Sequence, residues 1–110
     1  MEYLIDQDAD INRQTIDGYT ALIFASYYDH LDVVRLLLRH NANVNPKNSN
    51  GYTALILAAN FGNAEVVKLL IDNGADVNVT DQDGDTALTL ARDNNFEEIV
   101  RLLLENGATE

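Results

Sequence analysis

Gly18, Gly51 and Gly84 follow one another at intervals of 33 residues, each inside the same phrase: Asp17-Gly18-Tyr19-Thr20-Ala21-Leu22, Asn50-Gly51-Tyr52-Thr53-Ala54-Leu55 and Asp83-Gly84-Asp85-Thr86-Ala87-Leu88. A fixed period of this length constrains the fold more than any other feature of the chain. A unit so short cannot bury an apolar face alone, so tandem copies must cover one another in a stack.

The register extends beyond the glycines. Ala25, Ala58 and Ala91 align, as do Val34, Val67 and Val100, and the runs Leu36-Leu37-Leu38, Leu69-Leu70-Ile71 and Leu102-Leu103-Leu104. A trailing Asn41-Ala42-Asn43-Val44-Asn45 recurs as Gly74-Ala75-Asp76-Val77-Asn78 and begins again at Gly107-Ala108-Thr109, while Leu4 to Asn12 matches Leu70 to Asn78. The chain therefore divides as one domain, 1–110, with the end of a partial repeat at 1–12 and repeats at 13–45, 46–78 and 79–110.

Within each repeat the pattern predicts two short helices. Thr20, Thr53 and Thr86 stand where a hydroxyl can accept from a free first-turn amide. Gly62 then supplies a left-handed residue that ends the first helix, with Asp29 and Asn95 in its place in the other copies. The second helices place apolar residues at Val33, Val34, Leu37 and Leu38, at Val66, Val67, Leu70 and Ile71, and at Ile99, Val100, Leu103 and Leu104, a buried helical stripe. Their outer faces carry Asp32 with Arg35, Glu65 with Lys68 and Glu98 with Arg101 at i,i+3, where a pair contributes about 0.2–0.5 kcal/mol. Asn41, Gly74 and Gly107 close them. Helices of about two turns do not persist alone in water, so each depends on its neighbours.

Composition excludes several functions. Eighteen acids against seven bases give a net charge of −11, which repels a phosphate backbone, so no nucleic-acid partner is expected. With no cysteine there is no disulfide framework or thiolate site, which suits an intracellular, cytoplasmic protein. Glu2, Asp6, Asp8 and Asp10 leave no basic leader segment, and no apolar run approaches the roughly 20 residues of a membrane span. His30 and His40 flank one predicted helix at about 15 Å, too far apart to share a metal. Asp81-Gln82-Asp83-Gly84-Asp85 has the look of a calcium loop, but it lacks the later glutamate, and its counterparts at 15–19 and 48–52 identify it as the turn of the repeat. No catalytic constellation, cofactor or metal site is expected.

A 33-residue helix–turn–helix unit with Asp/Asn-x-x-Gly-x-Thr-x-Leu before its first helix and Gly-Ala-Asp-Val-Asn after its second resembles the ankyrin repeat. The family's Thr-Pro-Leu-His is altered to Thr20-Ala21-Leu22-Ile23, Thr53-Ala54-Leu55-Ile56 and Thr86-Ala87-Leu88-Thr89, which removes a pre-set first turn and a recurring hydrogen bond. The resemblance implies an all-α solenoid of stacked helix–turn–helix units with short projecting hairpin loops. It also implies a non-catalytic module that binds a partner protein through a concave groove lined by hairpin tips and first helices. Carried onto this sequence, the tips supply Gln14, Ile16, Tyr19, Lys47, Ser49, Tyr52 and Asp85, and the helix ends supply Tyr27, Tyr28, Asn60, Phe61 and Asp93. Aromatic residues in the first two repeats thus grade into acids in the third. The alternatives are a regulatory or structural segment of a larger enzyme or effector, and an engineered scaffold. Equivalents of Asn45 and Asn78 are hydroxylated in some family members; in this chain hydrogen bonding within the hairpin is the expectation for both.

The two ends differ. Arg92 stands where Ser26 and Ala59 are small, and Glu97 replaces Leu31 and Ala64, so the third repeat reads as a polar C-terminal cap. The first repeat should expose apolar surface unless Tyr3, Leu4 and Ile5 cover it, which makes self-association through that edge a further expectation.

Overall fold

The computed structural model describes residues 11–109, and among these there are six helices and no strands. They are α1 (Ala21–Tyr27), α2 (Leu31–Arg39), α3 (Ala54–Asn60), α4 (Ala64–Asp72), α5 (Ala87–Asp93) and α6 (Glu97–Glu105). The seven-residue first helices α1, α3 and α5 pack in one layer, and the nine-residue second helices α2, α4 and α6 in another.

Each first helix begins as its threonine dictates. The hydroxyls of Thr20, Thr53 and Thr86 accept from the amides of Ile23, Ile56 and Thr89 at 3.1, 3.2 and 3.2 Å. The altered tetrapeptide leaves this cap intact. Ile23 and Ile56 are each 1% exposed, so burial replaces the missing polar link, and in the third repeat the hydroxyls of Thr89 and Thr86 lie 3.1 Å apart. Every helix closes on a left-handed residue followed by a bond back over the last turn. Asp29, Gly62 and Asn95 (φ 56, 77 and 61) precede amides that reach Ala25, Ala58 and Ala91, each at 2.9 Å. Asn41, Gly74 and Gly107 do the same for the second helices.

Alanine sets the spacing of the first layer. Ala25, Ala54, Ala58, Ala59, Ala87 and Ala91 are all buried, which lets the three first helices approach closely. The second helices pair less extensively and leave open clefts, one between α4 and α6 lined by Glu65, Lys68, Glu98 and Arg101. The i,i+3 charges on these helices are exposed and none of the three pairs closes into an ion pair, because long side chains at the surface gain little from being held together. Their early acids still sit favourably at the helix N-termini.

Loops are joined across repeats. The amide of Ser49 donates to the carbonyl of Asp17 at 2.8 Å, and that of Gln82 to Asn50 at 3.2 Å. This approach requires glycine: a Cβ on Gly18 would lie 2.8 Å from the Cα of Asn48, whereas one on Gly84, in the last hairpin, meets nothing within 4 Å. Asn12, Asn45 and Asn78 accept from the amides of Asn43, Asp76 and Thr109 at 2.7, 2.8 and 2.9 Å. The expectation that Asn45 and Asn78 bond within their own hairpin is therefore corrected. Each reaches the loop that closes the next repeat, 31 residues on, because that loop presents its free amide to the preceding copy.

The edges of the stack are unlike each other. Ser26 and Ala59 are fully buried, whereas Arg92, Glu97 and Leu104 are exposed on the third repeat. Ala21 and Phe24 are exposed on the first, at positions where Ala54, Ala87 and Leu57 are buried. The covering role expected of Tyr3, Leu4 and Ile5 lies outside the described residues.

Two buried polar atoms among the described residues are left without a hydrogen-bond partner, Ser26 Oγ and Asn48 Nδ2. The hydroxyl of Ser26 has no hydrogen-bond partner at 0% exposure, although the same register is filled by alanine in the second repeat. An orphaned buried hydroxyl costs about 1–3 kcal/mol. Ser26→Ala is expected to stabilise the stack by about 1 kcal/mol, seen as a higher thermal midpoint; a lower midpoint would show that the hydroxyl is satisfied.

Candidate functional site

The first helices end on aromatic residues in two consecutive repeats. Tyr27 is the last residue of α1 and Tyr28 its C-cap, and the left-handed Asp29 then turns the chain away, leaving both rings at the corner. Phe61 caps α3 with the same backbone geometry as Tyr28. The three rings form one stack: Tyr27 lies 4.8 Å from Tyr28 and 5.0 Å from Phe61 between centroids, with planes 17° apart in both pairs. The imidazole of His30 adds to the Tyr28 side at 6.0 Å. Tyr27, Tyr28 and Phe61 are 38, 59 and 47% exposed, so the stack spans the boundary between repeats while remaining open to solvent.

Tyr19 and Tyr52 occupy a different setting. Both are half-buried against the core, and Tyr19 stacks on Phe24 at 4.6 Å. Phe24 is 43% exposed, and the sequence reading did not include it among the site residues. Its signal was available, since a ring there faces Leu57 and Leu90 in the other copies.

The hairpin tips turn out to be linked to one another. Gln14 donates through Nε2 to the carbonyl of Lys47 at 3.1 Å, and Lys47 through Nζ to that of Thr80 at 3.4 Å. Ser49 donates its hydroxyl to Asp17 and accepts at its carbonyl from the side chain of Gln82. Gln14, Lys47 and Ser49 thus serve as rungs between repeats. Ile16, by contrast, is fully exposed. Asn60 is half-buried and accepts at Oδ1 from Nδ2 of Asn94 at 3.3 Å, which ties the end of α3 to the end of α5 beside the exposed Asp93.

The acidic end is concentrated in the third hairpin. Carboxylate oxygens of Asp81, Asp83 and Asp85 fall within 4.8 Å of one another. Asp81 is 8% exposed and uses Oδ1 to accept from the amides of Asp83 and Asp85, each at 2.9 Å, as Asn48 does for Asn50 and Tyr52. The arrangement is the turn of the repeat, in keeping with its reading as a turn. Burial, then the charges of Asp81, Asp83 and Asp93, push the Asp85 carboxyl above its ordinary value. Burial, followed by Asp81, Asp83 and Asp85, raises the Tyr52 phenol above 10.0. His30 and His40 stand at opposite ends of α2, both exposed.

The family model described as Ankyrin repeats (3 copies) matches the chain over residues 1–81 and again over 45–110. No curated protein matches it. No described helix is long and apolar enough to cross a membrane.

The field of the third hairpin can be read through Tyr52. Its phenol holds the proton more tightly folded than unfolded, so its contribution to stability is complete below pH 10.0 and is lost as pH climbs through the raised folded value. Asp85→Asn is expected to lower the ultraviolet titration midpoint of Tyr52 without returning it to 10.0, because burial remains the larger cause. An unchanged midpoint would separate Tyr52 from the acids.

Proposed function

The chain belongs to the ankyrin-repeat family, and from that membership we propose that it is a non-catalytic module that binds another protein through the side formed by its first helices and hairpin tips. Ankyrin repeats are in general protein-interaction modules. The observation that carries the assignment to this side is the exposed stack of Tyr28, Tyr27 and Phe61, three rings held in one orientation by two repeats. Aromatic side chains are enriched among the residues that dominate binding energy, and each has few torsions left to lose. The rungs from Gln14, Lys47, Asn45 and Asn78 hold the repeats in register before any partner arrives, so less conformational entropy is lost on binding. Tyr19 and Tyr52 support this surface from the half-buried side, and Ile16 extends it at the first tip.

The rings at the helix ends are the ones to substitute, since replacing Tyr19 or Tyr52 would also disturb packing. A Tyr27→Ser/Tyr28→Ser/Phe61→Ser variant is expected to keep its helical spectrum and to lose partner proteins that the unaltered chain retains in affinity capture. Truncation of a single hot-spot ring costs about 2 kcal/mol of binding. Retention of the same proteins by both chains would overturn the assignment.

The exposed Ala21 and Phe24 favour a second role for the first-repeat edge of the stack, as a seat for another stacked repeat or a second copy. On that reading, light scattering after size exclusion shows mass rising with concentration, and Phe24→Ser abolishes the rise. A constant monomer mass would exclude the second copy.

A further inference from the structure

We propose that the partner presents an extended basic segment with an arginine whose guanidinium lies on the Phe61 end of the ring stack and forks onto Asp93, while a second cation meets Asp83 and Asp85. This deepens the ring-surface reading above and rests on it.

Three observations converge. The ring stack starts in the first repeat and ends at Phe61 in the second, and in the next repeat the corresponding rows hold Asp93 and Asn94. Asn60 and Asn94, the chain neighbours of Phe61 and Asp93, are hydrogen-bonded at 3.3 Å, so a ring and a carboxylate stand on adjoining rows. Residues 79–110 carry eight acids against Arg92 and Arg101, so the surface beyond the rings is strongly negative.

These features select among occupants. Against this acidic face a second copy, nucleic acid and anionic lipid would all set like charge against like. A neutral apolar segment would satisfy the rings but bury Asp93 without a partner. Arginine satisfies both, because its guanidinium stacks on an aromatic face and offers paired donors to a carboxylate, whereas a lysine ammonium is a hydrated point charge. The length of α5 sets the second contact: Asp93 is its last residue and Asp85 precedes its N-cap Thr86, so about 9 Å of helical rise plus the short extended entry separates them, on the order of 12 Å in all. An extended chain covers that distance in about four residues. Asp85 also feels the carboxylates of Asp81, Asp83 and Asp93, which add to burial in raising its carboxyl.

A random linear peptide library displayed on phage, selected on the full chain and counter-selected on the Tyr27→Ser/Phe61→Ser variant, tests this. The expected survivors carry arginine with a second basic residue about four positions away. As synthetic peptides they bind about fivefold more weakly to Asp93→Asn and to Asp83→Asn, weaken at high salt, and weaken again when the arginine is made lysine. Circular dichroism of each variant confirms that the stack is intact. Ring-dependent peptides that are neutral or acidic, or that ignore Asp93→Asn and salt, would overturn the basic partner while leaving the ring surface standing. Peptides binding equally with lysine would overturn the stacked guanidinium. Failure to obtain any ring-dependent peptide would count against both readings.

Discussion

Everything in this protein depends on the close approach of its first helices. Each is seven residues long and could not persist by itself, yet α3 buries six of its seven positions because α1 and α5 cover it from either side. Alanine makes that possible. A larger residue at Ala58 or Ala91 would separate the copies, and the bonds between loops would fail with them, since the close hairpin approach at Gly18 leaves no room for even a methyl group. The core is a continuous seam running through the copies, so stability is shared between neighbours and weakest at the two ends.

The polar chain-to-chain links follow from that seam. Side chains recurring once per repeat, Gln14 and Lys47 at the tips and Asn12, Asn45 and Asn78 at the bases, reach into the next copy at both ends of the unit. They satisfy backbone groups that short loops would otherwise leave to water. They also remove the freedom of each hairpin to swing, which is why a surface composed of separate loops can behave as one rigid face.

Much of this was legible in the residues. The glycine period, the threonine caps and the left-handed Asp29 and Asn95 are local chemistry, and each specified its element correctly. What the pattern could not disclose was which rings would meet. Tyr27 and Phe61 stand 34 residues apart, and their contact depends on how far one copy is rotated over the next, a quantity no single repeat encodes. The same gap hid the destination of Asn45 and Asn78: an asparagine in a turn normally bonds its own loop, and only stacking brings a better acceptor and donor within reach. Phe24 was not legible as a surface residue because it lies inside a helix that reads as core, at the register where Leu57 is buried.

The order of the copies carries information. The first repeat displays Tyr27 and Tyr28, the middle one adds Phe61 to their stack, and the third displays carboxylates, so the middle copy is the joint between the two chemistries. Helices in contact lie about 8–10 Å apart, so inserting a duplicate of 46–78 would lengthen the row of rings by one such step, with a ring still beside the carboxylates and the seam preserved. An array of this kind grows by whole units, and a duplicated copy requires no new contact along the seam.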